Sequence, residues 1–421
     1  MKKRVVSILL CVLLLFLATS CNATQKTKVD VAYFTGGFNP FSVRGNLDFG
    51  AVSMTQETVL TEVVSDDGEA VILFDAYSQG AGIADIKKVG ETDEYAEYNV
   101  KIGDDIKFSN GKDVTSKDVA FSLYVYADIN YEGWASVGMS TLVGLKEYRY
   151  NNENASLIKI TDEDIKDELK NPSELTKGYI TERVIKAVLL EEYDWVKSLY
   201  TDMAYKGTEA EEHVKLYPNA NDLFAYYYSL DTGYKPAKDK DTLINDIAKM
   251  YPVDCELLGE IYGTSLTNVA KRYAERALTE QELERMGGEA VGYIEGIKIV
   301  DDKNLTIQVE NGTAEQLEKI LGVFVAPFDV YGKDCEYKDG AFKIDIKSAL
   351  YSELEPVGIG PAVFKEYKSG SYLVFEKNQH YYKEPEIECD VKFVETGDSS
   401  TDYPSMYFDT PDVVYITDYD K

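Results

Sequence analysis

Val100-Lys101-Ile102-Gly103-Asp104-Asp105-Ile106-Lys107-Phe108-Ser109-Asn110-Gly111-Lys112-Asp113-Val114-Thr115-Ser116-Lys117-Asp118-Val119-Ala120-Phe121-Ser122 is the stretch from which the fold reads outward. It opens at the end of a run in which Ala96, Tyr98, Val100 and Ile102 alternate with Glu97, Asn99 and Lys101. Successive side chains of a strand point to opposite faces, so the alternation predicts a half-buried strand within Tyr95 to Ile106. Ser109-Asn110-Gly111-Lys112 carries turn chemistry. Thr115, with Asp118 three residues on, has the form of a capping box, which satisfies N–H groups that a helix start leaves unpaired. Val119, Ala120, Leu123 and Ala127 then share one helical face, so a helix buried along that face is expected.

Strand and turn texture continues on both sides. Val29-Asp30-Val31-Ala32-Tyr33-Phe34 reads as a buried strand running into the turn-prone Thr35-Gly36-Gly37-Phe38-Asn39-Pro40, and Val71 to Phe74 as a short strand. Downstream, Ile297 and Ile299 alternate, Asp301-Asp302-Lys303-Asn304 turns, and Leu305, Ile307 and Val309 alternate again, which predicts a hairpin. A short helix is expected around Leu317, Ile320 and Leu321. Val363–Tyr367 and Tyr372–Phe375 flank Lys368-Ser369-Gly370-Ser371 as a second hairpin, and Cys389, Val391 and Phe393 make a further strand. Strands and helices interleave without a regular βαβ rhythm, which favours a mixed α/β or α+β body.

The segment from Asn151 to Glu289 differs. It is charged, Tyr-rich and helical in pattern, with Val184, Val188 and Trp195 on one stripe and Leu257, Leu258, Ile261 and Leu266 on another. Thr279-Glu280-Gln281-Glu282 offers a second capping box.

The N-terminus carries an address. Lys2, Lys3 and Arg4 precede an apolar run from Val5 to Ala18, shorter than the roughly 20 residues a membrane span needs. A basic start, a short apolar core and the small residues Ala18-Thr19-Ser20 describe a secretory leader. Cys21 follows at once, in an order that resembles the lipobox of bacterial lipoproteins, with Ala18 where leucine is usual. Lipidation of Cys21 would anchor the chain at the membrane without spanning it, at about 0.8 kcal/mol per buried methylene. Asn22 to Lys28 then serves as a polar tether.

The formal net charge is -30. Phosphate contacts need Lys and Arg, so a surface this acidic sets nucleic-acid binding aside. The 33 tyrosines suit binding surfaces, since each offers a broad apolar face and one polar tip. Cys255, Cys335 and Cys389 remain once Cys11 is cleaved off and Cys21 is lipidated. Without Cys-x-x-Cys spacing they indicate buried free thiols rather than a disulfide framework or a zinc site.

Three segments, in order, resemble the extracellular solute-binding proteins of family 5, the oligopeptide-, dipeptide- and nickel-binding lipoproteins of ABC importers. Val100 to Ser122 is similar to the family's strand, turn and capped helix. Ile297 to Ile307 is similar to the hairpin that follows. Pro356-Val357-Gly358-Ile359-Gly360-Pro361-Ala362-Val363-Phe364, with Glu376-Lys377-Asn378-Gln379-His380-Tyr381-Tyr382 after it, resembles the family's third signature. Gly358 and Gly360 are expected to give the backbone freedom that a tight entry to a hairpin needs. The likeness covers Val29–Gly144 and Val291–Phe408.

The resemblance implies periplasmic-binding-protein-like (class II) lobes. Residues 1–20 are then the signal peptide, 21–28 the lipidated tether, 29–150 and 290–408 the solute-binding lobes, and 151–289 an inserted helical subdomain. Residues 409–421, with Asp412-Val413-Val414-Tyr415-Ile416, are expected to start a C-terminal lobe that the chain does not complete. The second ligand-binding lobe is thus incomplete, and the chain alone is expected to bind oligopeptides weakly or not at all. The resemblance also implies an oligopeptide ligand, ABC permease and ATPase subunits as partners, and an extracytoplasmic, lipid-anchored location, with no cofactor. It places the ligand beside Tyr33, Phe34, Thr35 and Gly36, where exposed main-chain groups recognise a peptide by strand addition. It also places the ligand beneath Trp134, with Tyr131 nearby.

An enzymatic reading finds little footing. Only His213 and His380 exist, neither with a triad or metal-ligand partner in the sequence, and Asp104-Asp105 and Asp301-Asp302 read as turn residues. The same scarcity of histidine weakens nickel or haem uptake. The alternative that stays open is a surface adhesion or glycan-binding lipoprotein in which the Tyr-rich insertion does the binding.

Overall fold

The alternation around Val100 is an inner strand of an antiparallel sheet. The computed structural model describes residues 27–31, 37–43, 46–64, 70–133, 135, 138–200, 209–232, 239–250, 253, 264–350, 356–368, 372–383, 391–395 and 415–418. Its strands in chain order are β1 (Thr27–Val31), β2 (Thr61–Val64), β3 (Ala70–Leu73), β4 (Ala84–Glu91), β5 (Tyr95–Ile102), β6 (Ile297–Ile299), β7 (Asn304–Glu310), β8 (Glu336–Lys338), β9 (Ala341–Lys343), β10 (Ala362–Lys368), β11 (Tyr372–Lys377), β12 (Val391–Glu395) and β13 (Tyr415–Asp418). They form a four-stranded sheet β4-β5-β7-β6, a five-stranded sheet β10-β11-β12-β1-β13, and the pairs β2-β3 and β8-β9. The class is mixed α/β, as expected. The chain divides into two compact units, residues 1–151 with 290–421, and residues 152–289.

In the first unit, Val100 pairs with Ile86 on one side and Leu305 on the other. Ala96, Tyr98, Val100 and Ile102 share a buried face with Leu305, Ile307 and Val309, each large side chain stabilising the fold by about 1.5–3 kcal/mol. The helix Ser116–Ala127 packs against β6 and β7. The Thr115 N–H and hydroxyl both donate to Asp118 Oδ2, at 2.9 and 2.6 Å, completing the predicted cap. The helix buries Val119, Ala120, Leu123 and Ala127, the face read from the sequence. It is buried on nearly every face, because Phe121 and Tyr124 meet Phe41, Phe328, Phe342 and Tyr148 on the sides away from the sheet.

The turn before β7 is bound in the same way. Asp301 Oδ1 accepts the N–H groups of Lys303 and Asn304 at 2.8 Å each. The Lys303 ammonium donates to the carbonyls of Gly103 (3.0 Å) and Val114 (2.9 Å), fastening the hairpin beside the capped helix.

Gly358 and Gly360 are required for a different reason from the one expected. Neither is among the glycines with positive φ. A Cβ on Gly358 would lie 2.1 Å from the Thr55 carbonyl oxygen, and one on Gly360 would lie 2.5 Å from that of Met54. The constraint is close backbone approach. Gly111, by contrast, has φ +83° and supports the predicted turn.

In the second unit every described element is helical. Ile180, Val184, Leu189, Val196, Leu223, Phe224, Leu243 and Ile247 form its core. Two readings there are corrected. Trp195 is 41% exposed while Val184 and Val188 are buried. The helix Lys186–Ser198 buries Val188, Leu189, Tyr193 and Val196, which leaves Trp195 at the margin of that face. Thr279 starts no helix: it lies inside Thr264–Met286 and its hydroxyl donates to the Glu275 carbonyl at 2.8 Å. Leu257, Leu258, Ile261 and the side chain of Leu266 lie outside the described residues, as do Cys255 and Cys389. Cys335 is a free thiol, half-buried rather than buried. Among the described residues no helix is long and apolar enough to cross a membrane.

Candidate functional site

The five-stranded sheet holds one parallel pair at its middle. β1 and β12 run together in register, so Val31 and Glu395 end side by side. Tyr415, at the start of β13, stands opposite Asp30, and Tyr372, at the start of β11, stands opposite Val394. The exits of two parallel strands and the starts of their antiparallel neighbours therefore share one end of the sheet. In open sheets containing parallel strands, ligands bind in the crevice outside the carboxyl ends of those strands.

Tyr33, Phe34, Thr35 and Gly36 follow β1 at this end. They lie outside the described residues, as do Cys21 and Trp134, but the chain on either side of them is described. Phe38 is buried against Phe364 and Tyr367, with ring centroids 5.5 and 5.0 Å away. Tyr367 pairs with Leu373, next to the tip of the β10–β11 hairpin. The chain leaving β1 thus returns to the same end of the sheet. Asn39 fixes it there: its Nδ2 donates to the Ala349 carbonyl at 2.8 Å, and its Oδ1 accepts the Phe41 N–H at 2.9 Å.

Phe41 leads to the second sequence-selected position. Its ring lies 5.1 Å from that of Tyr126, which meets Tyr131 edge-on at 5.2 Å. Gly133 closes over Tyr131, where a Cβ would lie 2.2 Å from the hydroxyl. Phe41 comes five residues after Gly36, and Tyr131 three before Trp134.

The cluster is uncharged at neutral pH. Burial pushes the hydroxyls of Tyr126, Tyr131 and Tyr331 well above the usual tyrosine range. Tyr331 accepts the Val357 N–H at 3.1 Å. On the hairpin, Tyr372 donates to Glu366 Oε1 at 2.9 Å, which raises its own pKa. Phe41, Tyr126, Tyr131 and Tyr331 are buried members of the main core, so they support the chain around them rather than face a solute.

One group of residues escaped the sequence reading. Residues 54–57 run alongside Gly358–Ala362, with Thr55 and Met54 carbonyls accepting from Gly360 and Ala362, each at 3.0 Å. Asn378 Nδ2 donates to the Gly360 carbonyl at 2.8 Å, and the Tyr381 hydroxyl donates to Glu57 Oε1 at 2.8 Å. Burial raises the Glu57 carboxyl above its ordinary range, against the opposing pull of Lys383 and the Tyr381 bond. Nothing in Thr55-Gln56-Glu57-Thr58 marks it as buried, because its polar residues read as a loop.

The two histidines do other work. His380 covers the Asn110-Gly111 turn, with Nε2 3.1 Å from where a Gly111 Cβ would lie. His213 Nδ1 lies 3.1 Å from the Tyr227 hydroxyl. Among the described residues no group of three or more His, Cys, Asp or Glu could hold a metal ion.

Residues 86–241 match the family described as bacterial extracellular solute-binding proteins, family 5 Middle. Of the three sequence signatures, the first, Val100 to Ser122, lies within the matched stretch. The match also runs on into the 152–289 unit, where the signatures gave no likeness. No curated protein matches the chain. Solved structures similar to it include an oligopeptide-binding protein of an oligopeptide ABC transporter from Borrelia burgdorferi (11% identity, 90% of this chain and 44% of that one, TM-score 0.41). Listeria monocytogenes OppA bound to peptide (12%, 89% and 43%, TM-score 0.39) and the Escherichia coli murein tripeptide binding protein MppA (12%, 88% and 42%, TM-score 0.38) are two more. The chain spans less than half the length of these proteins.

Proposed function

We propose, with that family match as premise, that this chain is the ligand-binding lipoprotein of an ABC importer and captures oligopeptides on the extracytoplasmic side. The match over residues 86–241 is the observation that carries this reading. Lipid on Cys21 would hold the chain at the membrane, where a permease and an ATPase would take up the ligand. Residues 29–150 and 290–408 would form the solute-binding body and 151–289 its inserted helical subdomain. Tyr33, Phe34, Thr35 and Gly36 would offer main-chain N–H and C=O groups to an extended peptide, which is how strand addition accepts many sequences. Trp134 would cover that peptide. What supports this arrangement is that Phe41 and Tyr131, which flank the two segments in the chain, are joined through Tyr126 in one buried cluster.

Tryptophan fluorescence tests it, because the chain has two tryptophans. Trp195→Phe leaves Trp134 as the reporter. Neutral tri- to pentapeptides should change its emission weakly, saturating only at high peptide concentration as expected of this chain alone, and sugars of similar size should not. A response to sugars alone would favour the adhesion or glycan-binding reading, and a response to neither would overturn the assignment of Trp134.

A further inference from the structure

The chain contains two Asn-Gly sequences, Asn110-Gly111 and Asn311-Gly312, and the fold treats them differently. Before glycine, which has no Cβ, the main-chain nitrogen meets the least obstruction on its way to the asparagine side-chain carbonyl. At the first sequence, the Gly111 N–H donates to the Phe108 carbonyl at 2.8 Å, Asn110 Oδ1 accepts the Lys112 N–H at 3.1 Å, and the His380 ring lies over Gly111. Nucleophile and electrophile are both engaged there. At the second, Asn311 is exposed, and among the described residues neither its side chain nor the Gly312 N–H makes a hydrogen bond. Asn311 has a left-handed φ of +55° and Gly312 one of +47°. A residue other than glycine keeps that conformation only where its surroundings impose it. The hold on Asn311 is slight, because its N–H meets the Glu94 carbonyl at 3.4 Å.

We propose that Asn311-Gly312 is a site of self-modification, at which the asparagine deamidates in the folded chain while Asn110 is protected. Hydroxide takes the proton of the Gly312 N–H, and the nitrogen attacks Asn311 Cγ. The N–Cγ bond forms and the Cγ–Nδ2 bond breaks. Nδ2 leaves as ammonia with a proton from water, which restores the hydroxide. Water then opens the succinimide at one or the other carbonyl and leaves an aspartyl or an isoaspartyl residue, so the net change consumes water and releases ammonia. The position gives the modification a structural consequence. An isoaspartyl linkage adds a methylene to the main chain immediately before Gly312. The Gly312 carbonyl accepts the Tyr98 hydroxyl at 2.8 Å, and a Cβ on Gly312 would stand 2.4 Å from that of Ala96, so this residue is closely seated on β5. Thr313, next in the chain, caps the helix Ala314–Leu321 through Gln316. Lengthening the chain here displaces both contacts and loosens the end of β7 from the helix that follows it. The site is independent of the importer reading.

Peptide mapping of the whole chain, after incubation at mildly alkaline pH, reads the reaction at both sites from the mass gained. Each hydrogen bond that must open before attack should slow it by about two- to tenfold. With two such bonds at Asn110-Gly111 and none at Asn311-Gly312, Asn311 should react faster in the folded chain by on the order of tenfold. In urea, where neither turn persists, the two rates should converge. The aged parent should unfold at a lower urea concentration than fresh protein. Aged Asn311→Gln, whose longer side chain does not close the succinimide ring, should keep its midpoint, and an equal loss in this variant would overturn the link to the end of β7. Equal rates at the two sites in the folded chain, or an Asn311 that stays intact when folded yet reacts in urea, would each overturn the site itself.

Discussion

The Tyr381 hydroxyl donates to Glu57 Oε1 at 2.8 Å, joining residues 324 positions apart in the chain. The bond fastens the segment before β2 to the segment after β11, and it does so around a carboxyl whose protonated form burial favours. The folded pKa of Glu57 therefore lies above its unfolded value of 4.5. Below pH 4.5 both states are protonated and ionisation costs nothing. As pH rises from there through the folded pKa, the unfolded chain ionises first and stability is lost. Glu57→Gln keeps an acceptor for Tyr381 and removes the titration. Urea unfolding from pH 4 to 7 should show the variant gaining on the parent as pH rises. A parallel pair of stability curves would contradict this.

Gly358 and Gly360 should resist substitution. Each hypothetical Cβ meets backbone atoms of residues 54–56, and backbone cannot swing aside as a long side chain can. Gly358→Ala and Gly360→Ala should each cost about 1–3 kcal/mol, as overpacking in a well-packed site does. Gly292→Ala, with nothing within 4 Å, should change little. Thermal unfolding of the three variants side by side makes the comparison.

Asp118 should matter more than a helix cap alone. Its carboxylate accepts from the Thr115 N–H, the Thr115 hydroxyl and, at 2.9 Å, the Phe328 N–H. Asp118→Ala would strand buried donors at about 1–3 kcal/mol each. Asp118→Asn, which keeps an acceptor oxygen, should lose less in the same denaturant titration.

These sites show what the sequence could and could not reveal. The cap at Thr115 and the β6–β7 hairpin were legible because local spacing determines both. The exposure of Trp195 was not, since the buried face of its helix is set by Leu189, Tyr193 and Val196 as well as Val188, and Trp195 lies at the margin of that face. Thr279 misled because its spacing to Glu282 matches a cap, although its hydroxyl is used inside a continuous helix. The Glu57–Tyr381 contact joins segments with no local pattern between them. The glycines of Gly358-Ile359-Gly360 were singled out correctly, but their reason, a neighbouring backbone, is visible only in three dimensions. Of the candidate site, the sequence selected Tyr33–Gly36 and Trp134. The structure describes neither, and adds only the ring path from Phe41 through Tyr126 to Tyr131 and the parallel pairing of β1 with β12.

Attachment should depend on Cys21 alone. Lipidated protein should partition with membranes, and Cys21→Ser should release it to the soluble fraction. Retention of the variant on membranes at the parent's level would contradict a lipid anchor.

Photo-crosslinking tests peptide capture most directly, because it traps a weak complex as well as a strong one. A neutral tetrapeptide carrying a photoreactive phenylalanine would be irradiated with the whole chain, and the labelled positions mapped by fragment mass. Label concentrated on residues 33–36 and Trp134, competed away by unlabelled peptide, is the expected result. Label scattered over the surface, or confined to residues 152–289, would contradict a peptide site at the exit of β1.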